Sequence, residues 1–136
     1  MRFDADTHPN SELTGKIIAC AQTVHRALRP GLDEKIYERA LCIELAEQGI
    51  DFSQQERFPI HYRGQFLGNL IPDLIVANAV VVETKVVETF NGAHISQVLG
   101  YLNITDHDVG LLLNFKHASL NVKRVANLRN NQSKSA

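Results

Sequence analysis

Asp73, Glu83 and Lys85 stand in a stretch that is otherwise strongly apolar, with Pro72 directly before the aspartate and Leu74, Ile75, Val76, Val80, Val81, Val82, Val86 and Val87 around them. Such a composition suits strands covered on both faces, where an unpaired charge is costly. Side chains alternate along a strand, so Glu83 and Lys85 share a face with Val81 and Val87, and Thr84 takes the other. A turn near residues 77–79 puts Asp73 on the preceding antiparallel strand, opposite Glu83. Two carboxylates side by side repel, and one takes up a proton unless a cation lies between them. Oxygen donors of this kind suit Mg²⁺ or Mn²⁺, which keep several waters and accept one or two protein carboxylates. Lys85 can then orient or help deprotonate a bound water, and the chemistry is phosphodiester hydrolysis. A bare Glu-x-Lys is an ordinary surface pair; the valines on its face and the preceding Pro-Asp set this one apart.

Positioning those groups requires a sheet with helices around it. Ser11 or Asn10 can cap a first helix whose apolar residues Leu13, Ile17, Ala21, Val24 and Leu28 recur every three to four positions, and Pro30 and Gly31 end it. A second helix is expected over 32–48, with Ile36, Tyr37, Ala40, Leu41 and Leu45 as its buried face. Three strands follow near 50–62, 66–76 and 79–87, as an antiparallel meander whose first turn is Tyr62-Arg63-Gly64-Gln65. A third helix over 93–103 leads to a buried strand over 109–115, which can lie parallel to the third through a right-handed crossover. A weak strand or helical turn closes the series at 120–127. The expected organisation is a flexible amino terminus over 1–10, one domain over 11–128 and a flexible basic tail over 129–136. The class is α/β, a mixed central sheet of about four to five strands flanked by helices.

With 136 residues, 44% of them hydrophobic and 21% charged, the chain suits one domain with a real core. No apolar run reaches the roughly 20 residues of a membrane helix, and the amino terminus lacks the apolar stretch of a secretion signal. The expectations are no membrane and a cytoplasmic address. Cys20 and Cys42 have no metal-ligand spacing and read as free thiols. The net charge of −1 is unpromising for binding nucleic acid, but residues 116–136 contain no acidic side chain while Lys116, Lys123, Arg124, Arg129 and Lys134 are basic. Lys116, Lys123 and Arg124 are the expected contacts to a phosphate backbone.

Two polar features on the helices point toward the same strands. Glu34 stands three residues before Tyr37 and seven before Leu41, at the amino end of the apolar stripe. His94, Gln97 and Tyr101 share a face of the third helix by the same spacing.

Gly31-Leu32-Asp33-Glu34-Lys35-Ile36-Tyr37 fits the G-x-x-E-x-x-Y signature of the small bacterial and archaeal proteins named for that motif, within the PD-(D/E)XK nuclease superfamily. The resemblance runs from about residue 17 to 127. GNLIPDLIV followed by VVVETK resembles the family's metal-binding hairpin, HISQVLGYLNI resembles its next helix, and Gln97 to Tyr101 fits the Q-x-x-x-Y pattern of the RecB-like exonuclease branch. The resemblance implies a three-layer α/β/α restriction-endonuclease-like fold. It also implies that Asp73, Glu83 and the Thr84 carbonyl ligate metal and that Lys85 is the catalytic lysine. Glu34 would support metal or its water, while Gln97 and Tyr101 would assist substrate or lysine positioning. The expected activity is hydrolysis of DNA, dependent on Mg²⁺ or Mn²⁺. A module of the same fold that binds nucleic acid or protein without cutting is the alternative, and a phosphoesterase acting on small molecules ranks behind it. One site per chain makes a homodimer the natural way to cut a duplex.

Overall fold

The structure is a computed structural model describing residues 10–127. The terminal segments 1–9 and 128–136, with Arg129 and Lys134, lie outside the described residues.

Two helices open the chain, α1 (Ser11–Leu28) and α2 (Glu34–Glu47). Ile17, Cys20, Ala21 and Val24 are buried at helical spacing, and the chain leaves α1 through Arg29 at φ 65°, just before Pro30, which cannot continue a helix. Then come β1 (Phe52–Gln54), β2 (Phe58–Tyr62), β3 (Gln65–Leu70), β4 (Leu74–Val76) and β5 (Val80–Lys85). After α3 (Gly92–Thr105) come β6 (Val109–Asn114) and β7 (Asn121–Ala126).

Five of these strands form one mixed sheet in the order β1-β4-β5-β6-β7. β5 and β6 run parallel, joined over α3, and the other neighbours are antiparallel. Alternation along the central strands divides the core. Val80 and Val82 pack with Ile17, Val24, Tyr37, Leu41, Leu45 and Phe115 against α1 and α2, while Val81 packs with Ile75, Val98, Tyr101, Leu102 and Leu112 against α3. The result is the expected α/β/α arrangement, helices on both faces of a mixed sheet.

The meander differs from expectation. The segments 50–62 and 66–76 each break in two, and β2 and β3 pair only with each other as a separate ribbon. Gln55 at φ 56° redirects the chain after β1. Pro72 has no N–H to give a ladder and separates β3 from β4. The ribbon's turn is Tyr62-Arg63-Gly64-Gln65, with Arg63 at φ 50° and Gly64 at φ 77°, the left-handed pair that closes a two-residue hairpin. Ala77 at φ 52° and Asn78 at φ 49° also adopt left-handed backbone, in the three-residue turn between the paired Val76 and Val80 of the β4–β5 hairpin. Of the residues expected inside the helices, Leu28 and Ile36 are exposed, at 37% and 40%. Leu28 lies in the last turn of α1, beyond the sheet's cover. Ile36 points away from the stripe that Tyr37, Leu41 and Leu45 define. The segment expected as a weak strand or helical turn is a strand, because β6 offers it an edge to pair with.

Candidate active site

The β4–β5 register pairs Leu74 with Val82, so the next step of the ladder sets Asp73 across from Glu83. There each carboxylate is held by the other's strand. The Asp73 N–H donates to Glu83 Oε2 at 2.6 Å, and the Thr84 N–H and hydroxyl donate to Asp73 Oδ2 at 2.9 and 3.1 Å. One oxygen of each group is thus fixed. The second is loosely engaged: Asp73 Oδ1 meets Gln55 Nε2 at 3.3 Å, and Glu83 Oε1 lies 4.0 Å from Lys85 Nζ. Glu83 is only 4% exposed, and burial first, then the Asp73 charge, push its carboxyl up to about 8. Burial also raises Asp73 above its ordinary value, against the lowering effect of the Thr84 amide. At neutral pH the pair therefore retains a proton or requires a cation.

Lys85 begins a chain of polar contacts running onto α3. Its Nζ donates to Gln97 Oε1 at 3.0 Å, and Gln97 Nε2 donates to the Tyr101 hydroxyl at 3.1 Å. Because an ammonium can only donate, this order fixes which way the Gln97 amide faces. Tyr101 is buried, and desolvation with the Glu83 and Asp73 charges raises its hydroxyl to about 12, so it stays neutral. His94 does not join this chain. Its ring and amide complete a reciprocal cap with Asn91 at the start of α3.

On α2, Glu34 is exposed, and its carboxylate accepts the Val86 N–H at 3.1 Å, tying the start of the helix to the end of β5. The helix-borne acid that faces the pair is Glu38, one turn further on. It is 1% exposed, accepts from Gln54 and Gln55 at 2.8 and 2.9 Å and from Lys35 at 3.4 Å, and its charge acts on both Asp73 and Glu83. Gln55 bridges it to Asp73. The sequence carries a signal for Glu38, since 38, 41 and 45 repeat the very three-and-four spacing of the buried stripe. It carries none for Gln55, which reaches the site through the break after β1. Tyr37 is structural: its hydroxyl donates to the Arg29 carbonyl at 2.6 Å and accepts the Leu32 N–H at 3.2 Å, while its ring stacks on Phe115 at 4.5 Å. It locks the turn between α1 and α2.

The three basic residues expected to meet phosphate are not gathered on one face. Lys123 and Arg124 are neighbours on β7 and alternate to opposite sides of the sheet, with Arg124 reaching Thr14 at 3.4 Å. Lys116 follows β6 at the end that carries Lys85, pairs with Glu88 at 3.4 Å, and lines a cleft with His25, Arg26, Arg29 and His117.

Among the described residues no group of three or more His, Cys, Asp or Glu forms a metal cage. What the site offers is two carboxylates, each with one oxygen fixed and one loosely held, a donor set that fits Mg²⁺ or Mn²⁺ retaining most of its waters. No helix of the described residues is long and apolar enough to cross a membrane.

A model of the PD-(D/E)XK nuclease superfamily matches residues 11–125. Among solved structures, SSO0001 aligns with a TM-score of 0.55 and 17% identity over 68% of the chain, which spans about half (48%) of that protein. An alkaline exonuclease from Laribacter hongkongensis aligns with a TM-score of 0.54 and 12% identity over 96% of the chain and 77% of its own. At these identities the likeness is one of fold. No curated protein matches.

Proposed function

Since the chain belongs to the PD-(D/E)XK nuclease superfamily, we propose that it is a divalent-metal-dependent nuclease that hydrolyses phosphodiester bonds of DNA. The observation that carries this reading is the reciprocal clamp between Asp73 and Glu83, with Lys85 beside it held by Gln97. Asp73 and Glu83 would hold Mg²⁺ or Mn²⁺, with the Thr84 carbonyl as a further ligand. When bound, the metal supplies charge neutralisation and a more acidic water. The loosely held oxygens, Asp73 Oδ1 and Glu83 Oε1, would be the ones to meet the ion. Lys85 holds the attacking water by hydrogen bonding or neutralises a phosphoryl oxygen. Gln97 and Tyr101 keep the ammonium from swinging away. Glu38 fixes Gln55 against Asp73, and Glu34 ties the start of α2 to the strand that bears the lysine.

The G-x-x-E-x-x-Y and Q-x-x-x-Y resemblances support this reading, as does the likeness in fold to an alkaline exonuclease. Two free cysteines agree with a reducing, cytoplasmic address. Cutting both strands of a duplex would call on two copies of the chain. Incubation with single- and double-stranded DNA and RNA in Mg²⁺ or Mn²⁺ tests the proposal. Cleavage by the wild type that Asp73→Ala and Lys85→Ala each abolish supports it. Cleavage that survives both substitutions marks a contaminant and overturns it.

A further inference from the structure

The β2–β3 ribbon departs from the rest of the chain in composition and exposure. Residues 57–72 contain no acidic side chain, but they include Arg57, His61 and Arg63. Seven consecutive residues, 61–67, are exposed, and among them Tyr62, Phe66 and Leu67 are 62%, 59% and 65% accessible. The register puts Tyr62, paired with Gln65, on one face of the ribbon and Phe66, paired with His61, on the other, so the tip exposes a ring on each side.

The ribbon is held firmly at its base. Phe58 and Leu70, paired across the two strands, pack into the core beneath α3, beside Tyr101 and Val98. From Leu70 the chain runs through Ile71 and Pro72 directly into Asp73. The tip therefore stands on the same scaffold as the carboxylate pair and the helix that carries Gln97. At the tip one ring already carries a cation and the other meets an imidazole. The Arg63 guanidinium lies 5.6 Å from the Tyr62 ring centre and its Nε donates to the Tyr62 hydroxyl at 3.3 Å, while His61 and Phe66 meet edge to face at 5.8 Å.

Exposed rings, one of them beside a guanidinium, on a segment without anions suit a nucleic-acid strand with unpaired bases. Rings stack bases of any sequence, and arginines meet the phosphates between them. We infer that the β2–β3 hairpin is a stacking element for single-stranded nucleic acid, Tyr62 taking a base on one face and Phe66 on the other, with Arg63 at the tip and Arg57 at the base taking phosphates. This inference rests on the nuclease reading for its biological sense. It extends that reading by making an unpaired strand, or a frayed end, the substrate presented to Asp73 and Glu83.

The test compares the wild type with a Tyr62→Ala/Phe66→Ala double variant, whose lost side chains are exposed, and uses thermal unfolding to check that the fold is retained. Affinity in EDTA is read by fluorescence anisotropy on a labelled oligothymidylate and on an abasic strand of equal length. Turnover of bis(p-nitrophenyl) phosphate in Mn²⁺ is followed separately, since that small diester needs the metal site but not the hairpin. The expected result is that the wild type prefers the strand with bases and that the double variant loses about ten-fold on it. Binding to the abasic strand and turnover of the small diester stay unchanged. Equal oligothymidylate affinity in both proteins, or a wild type that does not distinguish the two strands, overturns the stacking role. So does a dimer that dissociates in the double variant with DNA affinity unaltered, because the tip would then be covered by a second copy. Absence of turnover in both proteins overturns the nuclease reading alone, and the binding difference still supports the stacking role.

Discussion

Glu83 accepts the backbone N–H of Asp73, and the amide next to Glu83 returns a hydrogen bond to the Asp73 carboxylate. The pair is thus built by the ends of two antiparallel strands, and neither acid can turn away without breaking a bond made by the other's strand. Two like charges are held together in a buried place, which is unfavourable unless a proton or a cation is present.

That unfavourable arrangement has a pH signature. Glu83 is raised in the folded protein from about 4.5 to about 8, so the native state keeps a proton that the unfolded chain releases earlier. Stability from this group is full below the unfolded value and declines as pH rises through the window to about 8, the reverse of an ordinary salt-bridged carboxylate. Scanning calorimetry in EDTA should show the melting temperature falling across that window. Mn²⁺ should raise it more at pH 8 than at pH 5, because the cation replaces the proton. Glu83→Gln should flatten both effects; a slope left intact in that variant would assign the proton elsewhere.

The Lys85–Gln97–Tyr101 chain predicts graded losses of activity. Lys85→Ala removes the ammonium and should abolish measurable turnover. Gln97→Ala leaves the ammonium in place but unaimed, a loss of about 10- to 100-fold of the kind seen when an outer partner of a reactive group is removed. Tyr101→Phe keeps the packing and frees one hydrogen of the Gln97 amide, so its loss should be smaller. Steady-state kinetics should place these effects in kcat with KM little changed. An effect confined to KM would mean that Gln97 binds substrate and does not position the lysine.

The two glutamates of α2 should separate cleanly. Glu38 is buried and accepts from Gln54, Gln55 and Lys35, so Glu38→Ala removes hydrogen bonds made to a charged acceptor, a loss of about 1.5 to 3 kcal/mol by urea unfolding. Turnover should fall with it, because Gln55 loses its anchor beside Asp73. Glu34→Ala removes one exposed hydrogen bond to Val86 and should cost about 0.5 to 1.5 kcal/mol at most. If Glu34→Ala proved the more damaging to metal-dependent turnover, Glu34 would be the acid that serves the site.

How much of this was legible in the sequence depends on the range of the interactions involved. Asp73 opposite Glu83 follows from alternation and one short turn, both local, and the helix periods of α1, α2 and α3 are local too. The parallel pairing of β5 and β6 follows from the helix between them. The break after Gln54 was not legible, and although Pro72 marks the one before Leu74, runs of strand-forming residues say nothing of which neighbour each half will pair with. Glu38 was readable from the 38, 41, 45 spacing, yet a buried acid makes sense only once Gln54 and Gln55 are brought to it from another element. The separation of Lys123 from Arg124 follows from alternation, but only after β7 is known to be a strand.

Of the described glycines, Gly110 alone sits where a side chain would collide, at the contact between α3 and the sheet, and that contact connects packing to the site. A Cβ added at Gly110 would stand 2.5 Å from Val98 Cγ1, 3.4 Å from the Val81 carbonyl oxygen and 3.7 Å from Leu102 Cδ2. Gly110→Ala should therefore cost about 1 to 3 kcal/mol as overpacking, since Val98 is fully buried and has nowhere to retreat. Val98→Ala alone should cost about 2 kcal/mol through lost burial and the cavity left behind. The double variant should be more stable than the sum of the two predicts, because the methyl at 110 occupies the space that Val98 vacates, and urea unfolding of all four proteins measures that coupling. The same cycle reaches the chemistry. Gln97 precedes Val98 on α3, so pushing the helix off the sheet should lengthen the Gln97–Lys85 contact and lower kcat in Gly110→Ala, with recovery in the double variant. If Gly110→Ala were as stable and as active as the wild type, the seating of α3 would not be what aims the lysine.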